Sequence, residues 1–327
     1  MPFLIAFISG FAPMLLFAYI LYWLDRYEKE PKILLGAVFL WGAIVAAGGA
    51  FIINTLLGLG FYVFTGSEAA TDLATGSVIA PLVEELLKGF AVLIVFLVFR
   101  REFDSILDGI IYAGVTALGF AATENTYYIY TYGFLKSGWI GIMSLVFIRI
   151  FLVGWQHPFY TAFSGIGLAI SRLNRSVWLK IIAPLIGFTI AVFTHSVHNT
   201  ISSLLAGYSG LAIGAFTDWT GWFIMFCFLL WAIHNEKRNL QIYLLDEVNK
   251  GYISNLQYQT ATSARSQSRA RFSAFFNGKF RNTDRFYSLC GELTHKKSQL
   301  AKLGNEDGNM SVINNIEVEL SHLAPFV

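Results

Sequence analysis

Seven runs of about 20 or more mainly apolar residues follow one another along this chain. A bilayer offers no partner to backbone N–H and C=O groups, so runs of this length are typical of transmembrane helices. With 55% hydrophobic and 13% charged residues, the chain is too apolar for an ordinary soluble domain. We predict an all-α, polytopic transmembrane helix bundle, surrounded by lipid in the cell membrane. The runs are 3–23, 34–57, 76–99, 104–132, 139–171, 176–205 and 209–233.

The connecting segments predict the orientation of the bundle. Lysine and arginine cluster after the first, third and fifth runs and are scarce after the second, fourth and sixth. By the positive-inside rule, the N-terminus lies outside and the C-terminus is cytoplasmic. The basic residues concerned are Arg26, Lys29, Lys32, Arg100, Arg101, Arg172, Arg175 and Lys180.

The composition changes abruptly after Trp231, where a polar, charged segment begins. We predict a transmembrane core at 1–233 and a cytosolic tail at 234–327 that is partly helical or disordered and could bind a cytosolic partner. Weak helical patterning covers 239–256 and 286–303. The Arg- and Ser-rich segment 263–271 is typical of a flexible linker that seeks the membrane surface.

Several classes of protein are excluded. The net charge of +2 is small and no glycine-rich phosphate loop is present, so we expect no nucleic-acid partner. The two cysteines, Cys227 and Cys290, lack the spacing of a disulfide framework or a cysteine metal site. The first run has no basic segment before it and no cleavage site, so we expect a retained helix.

Charged residues inside the third run indicate a functional site. Glu84, Glu85 and Lys88 lie in the otherwise apolar stretch 78–98. An acidic residue at the centre of a transmembrane helix costs roughly 2.5 to 3.5 kcal/mol. Two adjacent carboxylates therefore need a partner, a water-filled cavity or a chemical role.

Polar residues from three further runs are expected at the same depth. The rise of about 1.5 Å per residue places them in one layer, mostly in the outer half of the membrane. Each has a plainer explanation when taken alone, since a buried histidine is often a packing residue and an asparagine often joins helices. Asp218 and Trp219 are expected to anchor the seventh run at the interface. The residues of the layer are Glu84, Glu85, Glu124, Asn125, Arg149, His157, His195, His198 and Asn199.

This set of residues can activate water in two ways. A carboxylate can act as general base beside a histidine, with a histidine or asparagine donor for the oxyanion. Alternatively, a divalent metal such as zinc lowers the pKa of bound water, and its ligands would come from Glu84, Glu124, His157 and His195. No HExxH or GxSxG motif is present. The residues leave the choice between glutamate and metal open, and no cofactor is certain.

The ordered motifs resemble the PrsW family of intramembrane proteases. Pro81–Lys88 resembles the family's glutamate-pair motif, and 103–125 resembles its second motif. His157 and 195–199 are similar to its later histidine motifs, and 25–31 is similar to its juxtamembrane acidic loop. The likeness covers residues 1 to about 205 and places the chain in the wider superfamily of CAAX prenyl endopeptidases and bacteriocin-processing proteins.

The resemblance implies a role for each site residue. Glu84 would be the general base and Glu85 its supporting carboxylate. His157 would assist the water, and His195 and Asn199 would donate to the oxyanion. The residues expected to support them are Lys88, Glu124, Asn125, Arg149 and His198. Family members are also classed as metalloproteases, and PrsW-like proteins are associated with a first cut in membrane-anchored anti-sigma factors.

Our leading hypothesis is an intramembrane endopeptidase that acts on a single-span membrane protein. The rival hypothesis is a transporter or sensor in which the glutamates and histidines relay protons or cations. Transport predicts polar groups that continue toward the cytoplasmic side, where Asp108 is almost the only candidate. No inverted repeat is obvious either.

Overall fold

A computed structural model describes residues 1–205 and 207–327, without the side chains of Tyr208, Ser209 and Asp307. All regular elements in these residues are helical, which confirms the all-α prediction. The chain divides into two compact units. Each is described by itself below.

The first unit contains residues 1–23, 31–172 and 178–227. Four π-helical turns, at Trp41–Ala46, Thr75–Ile79, Ile129–Phe134 and Phe147–Leu152, interrupt or extend its α-helices. Such turns are rare and frequently lie at functional sites. The α-helices that lie in or begin in this unit are α1 (Pro2–Leu24), α2 (Lys32–Leu40), α3 (Ala47–Thr65), α4 (Glu68–Ala74), α5 (Ala80–Val98), α6 (Ile106–Tyr128), α7 (Leu135–Val146), α8 (Gln156–Arg172), α9 (Val177–Leu204) and α10 (Gly207–Tyr243).

Five helical stretches are long and apolar enough to cross a membrane: Pro2–Leu24, Lys32–Thr65, Ile106–Arg172, Val177–Leu204 and Gly210–Asn249. Helix α5 is not among them, since it carries three charged residues. The predicted fourth and fifth spans lie together in a stretch of 67 residues, which is longer than a single crossing requires. The count of seven spans and their orientation therefore stay predictions.

Helix α6 forms the centre of the first unit. Its side chains are buried over most of its length, and it packs against α2, α5, α8 and the π turn Trp41–Ala46. A capping box starts the helix, because Ser105 Oγ accepts from the Asp108 amide and Asp108 Oδ2 accepts from the Ser105 amide. Asp108 thus has a structural role at this helix end.

Glycines allow the backbones around α6 to approach closely. A Cβ atom on Gly109 would clash with the carbonyl oxygen of Gly165 in α8, and one on Gly165 would clash with that of Gly109. A Cβ on Gly119 would likewise clash with the Phe39 carbonyl in α2. Small residues are the usual means of close helix packing in membranes. They fix the position of α6, and hence of its site residues, relative to α2 and α8.

The second unit contains residues 24–30, 173–177 and 228–327. Its core surrounds α14 (Phe280–Leu303), with Phe286, Leu289, Cys290 and Leu293 fully buried, and includes Tyr27 from the juxtamembrane loop. In that loop, Asp25 Oδ2 accepts from the Glu30 amide at 3.0 Å, so the acidic loop has a structural role. The further helices are α11 (Leu245–Asn249), α12 (Asn255–Ala261), α13 (Ala264–Phe276), α14 (Phe280–Leu303) and α15 (Asn309–Leu323).

The tail is more ordered than the sequence indicated. Helix α14 contains the helical pattern predicted for 286–303, which is confirmed. The prediction of a flexible linker at 263–271 is wrong, because α13 covers this segment. Ser263 caps α13 by accepting from the Ser266 amide, and Gln267 and Ala274 are buried on its inner face. The Arg and Ser content of this segment led to the wrong prediction. Only every third or fourth residue of an amphipathic helix has to face a core, so a polar composition does not exclude a packed helix.

Candidate active site

Ionisable residues from α5, α6, α8, α9 and the π turn Phe147–Leu152 meet inside the first unit. On α5, Glu84 is 7% exposed, and Glu85 and Lys88 are fully buried. Side chains that lie three or four residues apart share a helix face, so both carboxylates can reach the same ammonium. The predicted pairing within the glutamate motif is present.

The Lys88 ammonium lies at the centre of the cluster. Its Nζ donates to Glu85 Oε1 at 3.0 Å and to Glu84 Oε2 at 3.4 Å. It lies 3.3 Å from His157 Nδ1 and 3.8 Å above the centre of the Phe120 ring. Because an ammonium can only donate, His157 Nδ1 accepts here and its Nε2 carries the proton.

Glu85 is held on every side. Besides Lys88, its Oε1 accepts from His195 Nδ1 at 3.0 Å, and its Oε2 accepts from Thr161 Oγ1 at 2.7 Å. The His195 bond requires the proton on Nδ1, which leaves a lone pair on Nε2. Glu85 therefore orients His195 and is itself too occupied to take a proton from water.

Glu84 differs from its neighbour in having an open side. Its Oε2 lies 3.8 Å from His195 Nε2, and it lines a cavity of about 520 Å³. Glu124, Phe120 and residues of α3 form other parts of the cavity wall. Of the two adjacent carboxylates, Glu84 is thus the one that reaches space for a water molecule or a substrate.

A second group of polar side chains lies behind His157. Glu124 Oε2 accepts from His157 Nε2 at 2.8 Å and from Arg149 Nη2 at 2.6 Å. Arg149 Nε also donates to Asn125 Oδ1 at 2.7 Å, and its guanidinium lies 4.1 Å above the Tyr128 ring. These contacts leave both nitrogens of His157 engaged, so His157 joins Lys88 to Glu124.

Two of the predicted residues lie apart from the cluster. The side-chain amide of Asn199 donates to the Gly76 carbonyl, at 2.9 Å, in the π turn Thr75–Ile79. His198 Nδ1 lies 2.8 Å from Asp218 Oδ2, without the alignment of a hydrogen bond. They are near the site along α9 and do not touch Glu84, Glu85 or Lys88 in the contacts described.

The sequence reasoning did not place Thr161, Tyr160 or Asp218 in the site. Thr161 binds Glu85, and Tyr160 stacks on the His195 ring with centroids 4.8 Å apart. Tyr160 also donates to Asp218 Oδ1 at 3.0 Å. Asp218 is 2% exposed, so its predicted role as an interface anchor is wrong. The available signal was the spacing of Tyr160 and Thr161, three and four residues after His157.

The site can offer ligands to a divalent metal. Glu84, His157 and His195 each provide one ligand atom, and these atoms lie within 4.8 Å of one another. Two imidazoles and a carboxylate are a known ligand set of catalytic zinc, and carboxylates on the other ring nitrogens are its usual support. Glu124 is outside this set. Lys88 contacts two of the three ligands, so a metal and the ammonium would compete for them.

The charges of the cluster do not balance if all are ionised. Glu84, Glu85 and Glu124 carry three negative charges, whereas Lys88 and Arg149 carry two positive ones. An uncompensated charge is costly in a low-dielectric interior. A proton on a histidine or carboxylate, or a bound cation, would restore the balance.

The fold and the site together define a multi-pass membrane protein with a cluster of carboxylates and histidines, most of them buried, which are the side-chain types that activate water in hydrolases. Residues 30–233 match a family described as PrsW family intramembrane metalloprotease. The chain belongs to this family, and it is a peptide hydrolase of the cell membrane.

Individual relatives support the assignment. The chain is 26% identical to Protease PrsW of Geobacillus kaustophilus over 196 residues, which are 58% of this chain and 76% of the relative. It is 25% identical to Protease PrsW of Oceanobacillus iheyensis, over 76% of this chain and 97% of the relative. It is 40% identical to Protease PrsW of Clostridioides difficile, over 33% of this chain and 43% of the relative. No solved structure matches the chain at comparable significance.

The contacts of Tyr160 predict the behaviour of a conservative variant. Tyr160→Phe keeps the ring on His195 but leaves Asp218 Oδ1 without its donor. Since a lost buried hydrogen bond costs about 1 to 3 kcal/mol, we expect peptide hydrolysis to fall by about tenfold through misplacement of His195. Measured kcat and its pH profile would both change. Tyr160→Phe with the wild-type rate and pH profile would show that the hydroxyl does not position His195.

Proposed function

We propose that the chain is an intramembrane endopeptidase that cuts a single-span membrane protein with water activated by Glu84. The observation that carries this proposal is the contrast between the two adjacent carboxylates. Glu85 is occupied by Lys88, His195 and Thr161, whereas Glu84 lines the cavity. A general base has to reach both the water and an oriented partner.

The proposed reaction begins with a water molecule beside Glu84 and His195. Glu84 takes a proton from the water while the water oxygen attacks the carbonyl carbon of the peptide. The lone pair on His195 Nε2, 3.8 Å from Glu84 Oε2, accepts a hydrogen bond from the same water. The C–N bond then breaks, and the proton held by Glu84 passes to the leaving amine.

The other residues position these groups in our proposal. Lys88 holds Glu84, and Glu85 holds His195. His157 lies between Lys88 and Glu124 and contacts both, so it fixes Lys88 relative to Glu124. This differs from the sequence-based assignment, in which His157 assisted the water, because both nitrogens of His157 have partners. An amide has two N–H hydrogens. One N–H of the Asn199 side chain donates to the Gly76 carbonyl. We assign the other N–H to the oxyanion.

A divalent metal fits the same residues. Glu84, His157 and His195 would hold it, and in the bound state it would polarise the peptide carbonyl and lower the pKa of water. Glu85 and Glu124 would keep the two imidazoles oriented through their other nitrogens. The proposal covers either subtype, glutamate or metal.

We propose that the scissile peptide binds in the cavity beside Glu84. The cavity volume of about 520 Å³ lies in the range of ligand pockets, about 300 to 1,000 Å³. An unwound segment inside a membrane has to find hydrogen-bond partners for its backbone. Asn54 and Thr75 line the cavity, and their side-chain oxygens are buried without a partner among the described residues. They suit an extended substrate backbone.

The resemblance to the PrsW family extends the proposal to biology and topology. We propose a membrane-anchored anti-sigma factor as a substrate, cut in the first step of a cascade. The proposal includes the seven spans, the outside N-terminus, the core at 1–233 and the cytosolic tail at 234–327. The transporter or sensor alternative has less support, since the relatives named above are proteases.

The proposed function can be tested by searching for new protein termini in membranes of host cells. Cells would carry either the wild-type chain or a double variant, Glu84→Gln with Glu85→Gln, at equal abundance. We expect wild-type-specific termini near the ends of predicted transmembrane segments, found by mass spectrometry under several envelope stresses. Identical sets of termini under all these conditions would contradict the proposed function.

A further inference from the structure

Four phenylalanines of the second unit form an exposed patch on α13 and at the start of α14. We call Phe272, Phe275, Phe276 and Phe280 the aromatic patch. They are 68%, 66%, 70% and 43% exposed, in that order. The rings contact one another, with centroid distances of 5.0 Å for Phe272 and Phe276 and 6.2 Å for Phe275 and Phe280. Contiguous exposed apolar surface marks an interaction site.

The patch follows from the way α13 packs. Its inner face carries small side chains, of which Ala264 and Ala270 contact the core of the second unit and Ala274 is buried. Residues three or four apart share a helix face, so Phe272, Phe275 and Phe276 lie together. The phenylalanines therefore stay exposed while the helix is fully docked.

Exposed basic residues surround the patch. Arg265, Arg269, Lys279 and Arg281 are exposed, and none has an ion-pair partner among the described residues. Residues 264–281 contain no aspartate or glutamate. Steps of four, three and four residues place Arg265 and Arg269 on the same stripe as Phe272 and Phe276.

We propose that the aromatic patch and its basic residues bind the surface of an anionic membrane leaflet. Phenylalanines that enter the headgroup boundary beside arginines and lysines are typical of interfacial helices. Basic residues are attracted to anionic lipids within a Debye length of the surface. Residues 264–281 follow the apolar stretch Gly210–Asn249 in the same chain, so a lipid surface is present at high effective concentration. The proposal is independent of proteolysis.

The patch can be tested in the full chain, reconstituted into vesicles of phosphatidylcholine with or without phosphatidylglycerol. A fluorophore would be attached at Asn277→Cys, which is exposed beside the patch. Cys227 is exposed and would be replaced by serine. Cys290 can remain, because it is buried and burial raises the pKa of its thiol. The readout is quenching by lipids that carry a quencher near the headgroup.

We expect at least twofold more quenching in vesicles that contain phosphatidylglycerol. The pair Arg265→Glu and Arg269→Glu should remove at least half of that difference, as should Phe272→Ser with Phe275→Ser. The matched control is Lys302→Glu, an exposed charge reversal outside the patch, which should have no effect. With the unaltered patch, salt at about 0.5 M should weaken the quenching, since the screening length falls below roughly 5 Å.

Other outcomes would overturn the proposal. Equal quenching in both vesicle types, or quenching that resists both salt and charge reversal, would show that anionic lipid is not the partner. Cross-linking of Asn277→Cys between two copies, or protection of the label only by an added protein, would assign the patch to a protein. Resistance of the tail to limited proteolysis would verify that each variant is folded.

Discussion

Glu84→Gln should abolish detectable peptide hydrolysis while the protein still inserts and folds. The change keeps the size of the side chain and removes its ability to take a proton. General bases contribute about 10²- to 10⁴-fold to rates, so we expect activity to fall at least a hundredfold. Folding should be little affected, because Glu84 is the less engaged carboxylate and the buried cluster has an excess of negative charge. Cleavage of a substrate identified through its new termini, and the melting temperature in detergent, would measure both effects.

The comparison with Glu85→Gln distinguishes a base from a supporting group. Glu85 has Lys88, His195 and Thr161 as partners, so its replacement should lower the melting temperature together with the activity. Glu68→Gln, at an exposed acidic residue of α4, is the matched control and should leave both quantities unchanged. A fully active Glu84→Gln protein would remove Glu84 from the mechanism.

Lys88→Met should destabilise the first unit more than any other single change at the site. It leaves two carboxylates on α5 without the ammonium that lies between them. Removing one partner of a buried ion pair lowers the free energy of unfolding by about 3 to 5 kcal/mol, because the other charge is left uncompensated. We expect a clearly lower melting temperature in detergent and loss of hydrolysis. Lys136→Met, at an exposed lysine, is the control and should melt like the wild type.

The same variant examines the competition between Lys88 and a metal. Without the ammonium, Glu84 and His157 lose a positively charged neighbour, so zinc should bind more tightly to Lys88→Met than to the wild type. Added zinc should then restore part of the lost stability through preferential binding to the folded state. Zinc content by mass spectrometry and melting temperature would report this. If zinc neither binds more tightly nor raises the melting temperature, the ammonium and the metal do not share these ligands.

The sequence predicted the helical class and much of the site for clear physical reasons. Buried charges in an apolar run are expensive, so Glu84, Glu85 and Lys88 stood out at once. Depth along each helix then predicted that Glu124, His157 and His195 would lie at one level, and the structure brings them together. Both inferences depend on spacing along a single helix.

What the sequence could not predict depends on the rotation of one helix against another. His195 faces Glu85, but Asn199, one turn further along α9, faces Gly76 instead. Asp218 could not be distinguished from an interface residue, because its partner Tyr160 is 58 residues away in the chain. In the tail, the polar composition of 263–271 concealed a helix that packs through alanines.

The walls of the cavity beside Glu84 differ in how tightly they are packed. On one side lies α6, with glycines that hold its backbone against α2 and α8 at distances that leave no room for a methyl group. On the other side lie α3 and Thr75, and α3 buries only Ala47 and Ala50 among its described residues. A cavity that opens by movement of one wall needs its other wall to stay in place. We expect a bulky substrate to be admitted by movement of α3, because α3 buries far fewer of its side chains than α6 does.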